Sequence, residues 1–234
     1  EIFHGLVAQD ISYPGLKIMY EDKYIVVINK NSGLLSIATD NSDEMTAYST
    51  IRQHVKISDF RNKIFIVHRL DRDTSGVMMF VKSEEIKNKI QMNWTDIVIE
   101  RSYLVIVEGQ VENNEGKVTS WLKENAEHHV YSSQTPNDGD LAVTHYRVLD
   151  MNKKFTLLEA SLDTGRKNQI RVHMQDMGHP VVGDKRYGAT VNPLGRLGLH
   201  AQLLTIVHPV TGQQMRFSTP IPRKFSQMFE NQAK

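Results

Sequence analysis

The stretch Val67-His68-Arg69-Leu70-Asp71-Arg72-Asp73-Thr74-Ser75-Gly76 lies between two apolar runs, Ile64-Phe65-Ile66-Val67 before it and Val77-Met78-Met79-Phe80-Val81 after it. Both runs are short and rich in β-branched or aromatic residues, which is typical of buried strands. The sequence therefore predicts a polar loop held between two strands. Catalytic groups concentrate on loops that a rigid scaffold positions, so this loop is the first candidate for a functional site.

Asp71 is the central charged residue of this loop and lies between Arg69 and Arg72. Positive charges nearby favour the ionised form of a carboxylate, and an ionised carboxylate suits a nucleophile better than a proton donor. The alternative is that Asp71 and its arginines form a structural ion pair or cap a turn, which is the more common role of an isolated Arg-Leu-Asp-Arg pattern. The longer string around Asp71 favours the catalytic interpretation.

The nine contiguous residues His-Arg-Leu-Asp-Arg-Asp-Thr-Ser-Gly at positions 68–76 resemble the active-site motif of the RluA-type pseudouridine synthases. The resemblance implies that Asp71 is the catalytic nucleophile. It also implies that Arg69 is the motif arginine, which we expect to fill the gap left when the target uridine is flipped out of its stack. The segment from Tyr20 to Leu35 is similar to the first motif of the same family, with Asn31 where relatives usually have proline.

A second block of the family is similar to Glu100-Arg101-Ser102-Tyr103, which leads to Val107-Glu108-Gly109. The resemblance implies that Tyr103 stacks on the target base. A phenol can both stack on uracil and reach a proton, so this role is physically sound. The alternative, taken from the strand pattern alone, is a tyrosine half-buried in a sheet.

The segment Thr164-Gly165-Arg166-Lys167-Asn168-Gln169-Ile170-Arg171-Val172-His173 resembles the third block. The resemblance implies that Arg171 pairs with Asp71 and that Ile170 packs against the base. Asn168 stands where relatives commonly carry histidine, so no role is assigned to it. Arg166 lies five residues before Arg171 on a predicted helix and therefore on a different face. We expect one of the two arginines to face phosphate and the other to face Asp71.

Hydrophobic periodicity predicts an α+β protein. Strands are predicted over 17–30 (with a turn), 103–111, 117–122, 142–149, 155–162, 200–207 and 215–218, and helices over 46–55, 83–93, 168–177 and after Pro222. The resemblance implies the pseudouridine synthase fold, a bent, mixed and mostly antiparallel sheet with flanking helices and a central active-site cleft. No linker divides the chain, so residues 1–234 are expected to form a single catalytic domain. The first residue is Glu1 rather than Met, which leaves room for a preceding N-terminal RNA-binding domain.

The 234 residues are 40% hydrophobic and 24% charged, the composition of a soluble globular protein with a substantial core. The chain has no cysteine, which excludes disulfides and thiolate sites and fits a reducing cytoplasm, where we expect the protein to act. No apolar run has transmembrane length, and no secretory leader is visible. The net charge is only +1, so an RNA-binding face has to be local. The cations expected to contribute to it are Arg69, Arg72, Arg166, Lys167, Arg171, Lys185, Arg186 and Arg196.

Four histidines, His173, His179, His200 and His208, match no zinc-binding spacing and are interpreted as core or surface residues. The chain also lacks a Gly-x-Gly-x-x-Gly motif and a P-loop. We therefore expect neither a metal nor a cofactor.

The function implied by the resemblance is that of an RNA pseudouridine synthase, an isomerase that acts as a monomer on uridines of ribosomal RNA, with the large subunit preferred, or of transfer RNA. Asp71 can attack the anomeric carbon, add to the uracil ring or take a proton from the ribose, and the sequence leaves these routes open. One alternative is a catalytically inactive RNA-binding protein on the same scaffold, against which the presence of Asp71 argues. Another is a phosphodiesterase or nuclease, for which the clustered carboxylates of a two-metal site are lacking.

Overall fold

The computed structural model describes residues 11–38 and 43–230, together with the backbone of residues 3–4. The chain divides into two compact units. Unit 1 comprises Glu1–Arg101 and Ala201–Pro220, and unit 2 comprises Ser102–His200 and Ile221–Lys234. The prediction of a single catalytic domain over residues 1–234 stays a prediction.

Unit 1 is built on a sheet with helices after its fourth and sixth strands. Its elements are β1 Phe3–His4, β2 Ser12–Tyr13, β3 Leu16–Glu21, β4 Ile25–Lys30, α1 Ala47–Ser58, β5 Phe65–Ile66, β6 Ser75–Val81, α2 Glu84–Met92, α3 Trp94–Ile97, most of β12 Leu199–Val207, and β13 Gln214–Ser218. The strand order is β2-β3-β4-β6-β12, with β5 paired to β6 and β13 to β12. β1 pairs with β13 in parallel, whereas β3–β4, β4–β6 and β12–β13 are antiparallel.

The central strands of unit 1 are buried because their sequences are almost entirely apolar. Every residue of β6 is buried, and β6 lies between β4 and β12. Helices α1 and α2 begin where the sequence provides caps: the Thr46 side chain accepts a hydrogen bond from the Ser49 N–H, and the Ser83 hydroxyl accepts one from the Ile86 N–H. The Ser83 cap confirms the start of the predicted second helix.

Unit 2 is built on strands in the order β7-β11-β10-β8-β9, together with two helices. Its elements are β7 Val98–Glu108, which begins in unit 1, then β8 Glu115–Glu124, β9 Val130–Ser133, β10 Asp140–Met151, β11 Phe155–Leu162, α4 Gln169–Asp176, a 3₁₀ turn Lys185–Tyr187, and α5 Arg223–Gln227. All of these neighbouring strands are antiparallel. The mixed pairing and the few helices confirm the predicted α+β class.

The largest error of the sequence-based prediction concerns β7, which was expected over 103–111 and is found over Val98–Glu108. Val111 is buried and apolar, which made it resemble a strand residue, but it is held instead by a hydrogen bond from its N–H to the Thr156 hydroxyl. Gly109 ends the strand with a φ of +81°. The start was missed because Ile99, Glu100 and Arg101 carry no clear apolar alternation.

The short elements β1, β2, α3 and β9 and the 3₁₀ turn were not predicted, and the apolar run at 64–67 forms only the two-residue strand β5. Elements of four residues or fewer contain too little periodicity to be detected. Helix α1 also continues to Ser58, three residues beyond its predicted end, because the exposed residues after Val55 leave no apolar signal. In the described residues, no helix is long and apolar enough to cross a membrane.

Candidate active site

The loop at residues 67–74 joins β5 to β6 within unit 1 and carries Asp71 and Arg69 together, as predicted. The loop closes in a turn, with the Thr74 N–H donating to the Asp71 carbonyl oxygen at 3.1 Å. The Asp71 side chain is half-buried at this turn, and Arg69 is exposed. Unit 1 therefore presents the proposed nucleophile on a structured turn, with the motif arginine two residues away.

Ser36 fixes the backbone immediately before Asp71. Its hydroxyl donates to the Leu70 carbonyl oxygen at 2.6 Å and accepts from the Leu70 N–H at 3.1 Å. Ser36 and Leu70 are both buried, so water cannot replace these bonds. A single side chain thus satisfies both main-chain groups of the residue that precedes Asp71.

Lys30 fixes the backbone immediately after Asp71. This lysine is fully buried at the end of β4, and its ammonium group donates to the carbonyl oxygens of Arg72 at 2.9 Å and Leu34 at 2.6 Å. The Gly33 N–H donates to the same Arg72 carbonyl at 2.9 Å. The position of Lys30 was not recognised from the sequence, although the two-residue strand period places it on the inward face with Val26 and Ile28.

Gly76 is the last residue of the motif, and a glycine is required there because β6 and β12 approach each other closely at this point. Its φ is +117°, and a Cβ atom at this position would lie 2.0 Å from the Ala201 carbonyl oxygen. Only glycine fits beneath β12 at this point. The motif therefore contains a structural constraint, which the resemblance alone did not explain.

His68, the first residue of the motif, is a neutral hydrogen-bond acceptor. Burial lowers the pKa of His68 to about 4, and the nearby Arg101 guanidinium acts in the same direction. Its Nε2 accepts a hydrogen bond from the Met79 N–H at 2.9 Å, which places the proton of the neutral ring on Nδ1. His68 thus ties the start of the loop to β6 and was missed as an anchoring residue.

Arg72 was expected to lie beside Asp71 as one of two flanking cations, and its guanidinium contacts Glu44 instead. Nη1 and Nη2 bond to the two Glu44 oxygens at 2.9 and 3.1 Å. The physical reason is that consecutive side chains of this turn point in different directions, so adjacency in sequence does not bring the side chains of Asp71 and Arg72 together. The Arg72 main chain, rather than its side chain, is what anchors the loop.

In unit 2, Tyr103 and Ile170 contact the same apolar cluster, which also contains Val105 and Leu199. Tyr103 lies in β7 opposite Ala160 of β11 and is half-buried. Ile170 is 4% exposed in the first turn of α4. The structure thus brings together the two residues that the resemblance connects with the target base, and it gives the Tyr103 ring a packed apolar support.

Arg171 forms a two-pronged ion pair with Asp184 in unit 2. Nε lies 2.7 Å from Oδ2 and Nη2 lies 2.9 Å from Oδ1, and the Asp184 side chain is only 2% exposed. The Arg171 guanidinium also lies over the Tyr187 ring, 4.9 Å from its centroid. A guanidinium has five N–H donors, so these contacts do not exhaust its bonding capacity. Asp184, interpreted from the sequence as scaffold, is therefore the residue that orients Arg171.

Asn168 begins α4 in the left-handed conformation, with a φ of +54°. Asparagine tolerates this region better than most residues do. Its side chain accepts from Arg171 Nη1 at 3.2 Å and donates to the Tyr187 hydroxyl at 2.9 Å. The residue that departs from the family pattern thus connects Arg171 to the buried Tyr187, a role that the sequence did not reveal.

Arg166 lies in the turn before α4 rather than on the helix, so its relation to Arg171 is not set by helical spacing as predicted. Its Nε donates to the Leu141 carbonyl oxygen at 3.0 Å, and its side chain is exposed. The turn itself is held by Gln169, whose Oε1 accepts from the Arg166 N–H and the Thr164 hydroxyl. Arg166 is therefore presented on an ordered turn.

Three of the four histidines considered as metal ligands, His173, His200 and His208, are buried. His173 bonds to Thr144 and Ser120 at 2.8 and 3.0 Å, and burial lowers the pKa of His173 to about 4. His208 bonds to Asp22 at 2.9 Å. Within residues 11–38 and 43–230, no group of three His, Cys, Asp or Glu side chains is arranged to hold a metal ion.

Comparisons with known proteins show which family this chain belongs to. A family model described as RNA pseudouridylate synthase matches residues 24–176, more than half of the chain. An uncharacterized RNA pseudouridine synthase of Bacillus subtilis (strain 168), YjbO, is 35% identical over 217 residues, which cover 93% of this chain and 76% of that protein. The ribosomal large subunit pseudouridine synthase D of Pseudomonas aeruginosa is 34% identical over 237 residues, covering 94% of this chain and 71% of that protein.

A solved human structure, RNA Pseudouridylate Synthase Domain Containing 4, shares the fold with a TM-score of 0.73 at 23% identity, over 89% of this chain and 90% of the human one. The fold and the motif loop thus define a pseudouridine synthase, an isomerase that acts on RNA. Within that class, the chain belongs to the RluA-type family of RNA pseudouridine synthases.

Proposed function

We propose that this enzyme isomerises uridines of large-subunit ribosomal RNA and that Asp71 is its nucleophile. The observation that carries the nucleophile assignment is the anchoring of the loop on both sides of Asp71, by Ser36 at Leu70 and by Lys30 at Arg72. A group that forms and breaks a bond to carbon has to be held in a productive geometry, and a loop bonded through its main chain supplies that geometry.

The reaction replaces an N-glycosidic bond by a C-glycosidic bond at the same ribose. On the first proposed route, Asp71 attacks the anomeric carbon, and the glycosidic electron pair leaves with the uracil ring. The free ring then turns and its C5 atom attacks the same carbon, which displaces the Asp71 carboxylate. At the end a base removes the C5 proton and N1 takes up a proton, so that the product is an isomer of the substrate. Addition of Asp71 to the ring and abstraction of a ribose proton are the other two routes, and each also uses an ionised Asp71.

The remaining site residues receive complementary roles. Arg69 is proposed to fill the gap left by the flipped uridine, and Arg166 to contact a phosphate. Tyr103 is proposed to stack on the uracil ring, and the buried Ile170 backs this ring through the shared apolar cluster. Arg171 is proposed to pair with Asp71 and to keep it ionised and aimed. Asp184 is proposed to set the Arg171 orientation.

The choice of ribosomal RNA rests on the relatives, several of which are named ribosomal large subunit pseudouridine synthase D. Transfer RNA is the other substrate considered from the sequence. We further propose that the enzyme acts as a monomer, and in the cytoplasm, where unassembled ribosomal RNA is accessible.

The decisive experiment maps pseudouridines in ribosomal and transfer RNA from cells that lack this gene. We expect one or more large-subunit positions to lose the modification and to regain it when the wild-type gene is returned. Loss confined to transfer RNA would refute the ribosomal assignment. Loss in neither RNA would favour the inactive RNA-binding alternative.

A transcript containing the mapped position allows the reaction to be tested with purified enzyme. We expect turnover to continue in excess chelator, whereas the nuclease alternative requires metal ions and yields cleaved RNA. A DNA copy should react poorly, because the ribose 2′-hydroxyl distinguishes RNA from DNA. Equal turnover of both nucleic acids would contradict recognition of RNA at the site.

A further inference from the structure

A groove of about 650 Å³ lies in unit 1 outside the motif loop. One wall is α1, whose residues Tyr48, Arg52 and Lys56 are spaced four apart and therefore share one helix face. The opposite wall includes Lys63, Phe65 of the short strand β5, and Lys87 of α2. Four cations and two aromatic rings thus line one groove, and none of the described residues that line it is acidic.

The groove cations differ from other cations of the same unit in having no acidic partner among residues 11–38 and 43–230. Arg61 pairs with Asp59, Arg72 with Glu44, and Lys82 with Glu21. Among the described residues, by contrast, Arg52, Lys56 and Lys63 make neither a hydrogen bond nor an ion pair through their side chains. Uncompensated positive charges that line one groove create a local field that attracts an anion.

The aromatic rings of the groove indicate which kind of anion it binds. The Lys87 ammonium lies 5.8 Å from the Phe65 ring centroid, so a cation and a half-buried ring face the groove together. Tyr48 is half-buried on the α1 side, and its hydroxyl makes no hydrogen bond within the part of the chain described. Cations that follow a backbone, combined with rings on which bases stack, are the pattern of surfaces that bind single-stranded nucleic acid.

The groove is also close to the motif loop along the chain. Phe65 precedes Asp71 by six residues, so their Cα atoms are at most about 21 Å apart. A stacked strand advances about 3.4 Å per nucleotide, so this span corresponds to roughly six nucleotides. An RNA strand whose uridine reaches Asp71 therefore has its flanking nucleotides within range of the groove.

We propose that this groove binds the substrate RNA beside the target nucleotide, through phosphate contacts to Arg52, Lys56 and Lys63 and base stacking on Phe65. The inference uses the RNA specificity of the family and adds a second RNA-binding surface to the catalytic loop. It does not depend on the ribosomal assignment, whereas its position beside the target nucleotide rests on the proposed role of Asp71. The groove raises affinity and does not take part in bond making.

The test variant is Arg52→Gln with Lys56→Gln, two exposed substitutions on α1 that preserve helix propensity. The matched control is Lys153→Gln with Lys154→Gln, which removes the same charge from the exposed β10–β11 turn. Binding of a long oligouridylate is measured over a series of salt concentrations for both variants and for the wild type. Circular dichroism confirms that all three proteins are folded.

We expect the slope of log affinity against log salt to become shallower by about 1.4 in the groove variant, since each phosphate contact to a single strand contributes roughly 0.7. The dissociation constant should rise severalfold, while the control keeps the wild-type slope. With the substrate transcript, KM should rise and the rate at saturating RNA should stay unchanged.

A groove variant that binds oligouridylate with the wild-type slope and affinity would overturn the proposal and point instead to an acidic protein partner. Equal loss in the control would also overturn it, because the effect would then reflect net charge alone. A lowered rate at saturating RNA with unchanged affinity would assign these residues to support of the catalytic loop. If the wild type modifies no ribosomal transcript, the proposed function fails, and the oligouridylate measurement still decides the role of the groove.

Discussion

The Asp71 loop of unit 1 and the Arg171 segment of unit 2 are held by different kinds of bond. The loop is anchored through its main chain, by Ser36 at Leu70 and by Lys30 at Arg72. Arg171 is anchored through its own side chain, which bonds to Asp184. A main-chain anchor does not depend on which side chain the loop carries, whereas a side-chain anchor disappears with either partner. Substitution of Asp71 should therefore lower activity with little effect on stability. Substitution of Arg171 should lower activity and stability together.

The largest effect is expected for Asp71→Asn. The change keeps the shape of the side chain and removes its charge and nucleophilicity, so turnover should fall by at least about 10⁴-fold. The variant should remain folded, with an unfolding free energy within about 1–2 kcal/mol of the wild type, because the bonds from Ser36 and Lys30 use only the main chain of the loop. Single-turnover pseudouridine assays and urea denaturation provide the two measurements.

The matched control for this prediction is Asp73→Asn, the same change two residues further along the loop. Asp73 is exposed, and its anchoring contact with Ser32 uses only its carbonyl oxygen. Its turnover should stay within about twofold of the wild type, a difference well below 1 kcal/mol in barrier. Near-normal turnover by Asp71→Asn would refute the nucleophile assignment, and comparable losses at both positions would indicate a general effect of loop charge.

Arg171→Met is expected to reduce stability and activity together. The substitution leaves the Asp184 carboxylate buried without its cation, which costs roughly 3–5 kcal/mol of unfolding free energy. Turnover should also fall by orders of magnitude if Arg171 orients Asp71. Arg171→Lys should recover only part of both losses, since an ammonium cannot reproduce a two-pronged contact.

The double variant Arg171→Met with Asp184→Asn distinguishes the two roles of Arg171. Removal of the buried charge should restore much of the unfolding free energy, because no uncompensated carboxylate remains. Turnover should stay low, because the proposed partner of Asp71 is still absent. Recovery of turnover along with stability would mean that Arg171 serves the fold alone.

Ser36→Ala tests the main-chain anchor itself and is expected to have a smaller effect. Loss of the hydroxyl leaves the buried N–H and carbonyl of Leu70 unsatisfied, which costs roughly 1–3 kcal/mol. Ser32→Ala removes a solvent-exposed bond to the Asp73 carbonyl from the same loop and should cost less than about 1 kcal/mol. Equal stability of the two variants would show that the loop does not depend on its buried anchor.

A further prediction concerns acid stability and compares His68 of unit 1 with His173 of unit 2. Burial lowers the pKa of each to about 4, below the unfolded value of about 6.5. The unfolded chain therefore takes up protons first as the pH falls. Stability contributed by the neutral rings is fully present above about pH 6.5 and is lost progressively as the pH falls towards about 4.

Urea denaturation between these pH values measures the effect. Each histidine should contribute roughly 1 kcal/mol per pH unit to the dependence of the unfolding free energy on pH. His68→Gln and His173→Gln should therefore each make this dependence weaker. If the pH dependence of the unfolding free energy weakens in only one of the two variants, the unit that contains that histidine limits acid stability. No change in either would contradict the assignment of neutral buried rings.

Much of the fold was predictable because its signals are local. The β10–β11 and β12–β13 hairpins, α2 and α4 were recognised from apolar periodicity and from caps such as Ser83. The start of β7 was missed because its first residues carry no apolar alternation. The elements α3 and β9 were missed because four residues are too few to show a period. Periodicity reports burial, and it fails where burial and secondary structure diverge, as at Val111.

Residues of the candidate site were also predictable where they are neighbours in sequence and were missed where distant segments meet. Asp71 and Arg69 share a loop because they belong to one contiguous motif, and the family resemblance alone was sufficient to nominate them. Asp184 was not nominated, since its contact with Arg171 depends on the path of the chain after α4. The role of Asn168 was missed because its bond to the Tyr187 hydroxyl joins residues 19 positions apart. The Arg72 contact with Glu44 was missed for the same reason, because it joins residues 28 positions apart.

The sequence by itself determined the family, the reaction and the loop that presents Asp71, because a run of contiguous residues and the apolar strands around it are readable without coordinates. Tertiary structure alone decided that a buried lysine and a serine hold that loop through its main chain. It also decided that Gly76 lies against Ala201 and that Arg52 and Lys56 of α1 line one groove with Phe65. These features arise from strand register and from the packing of distant segments, which local patterns do not encode.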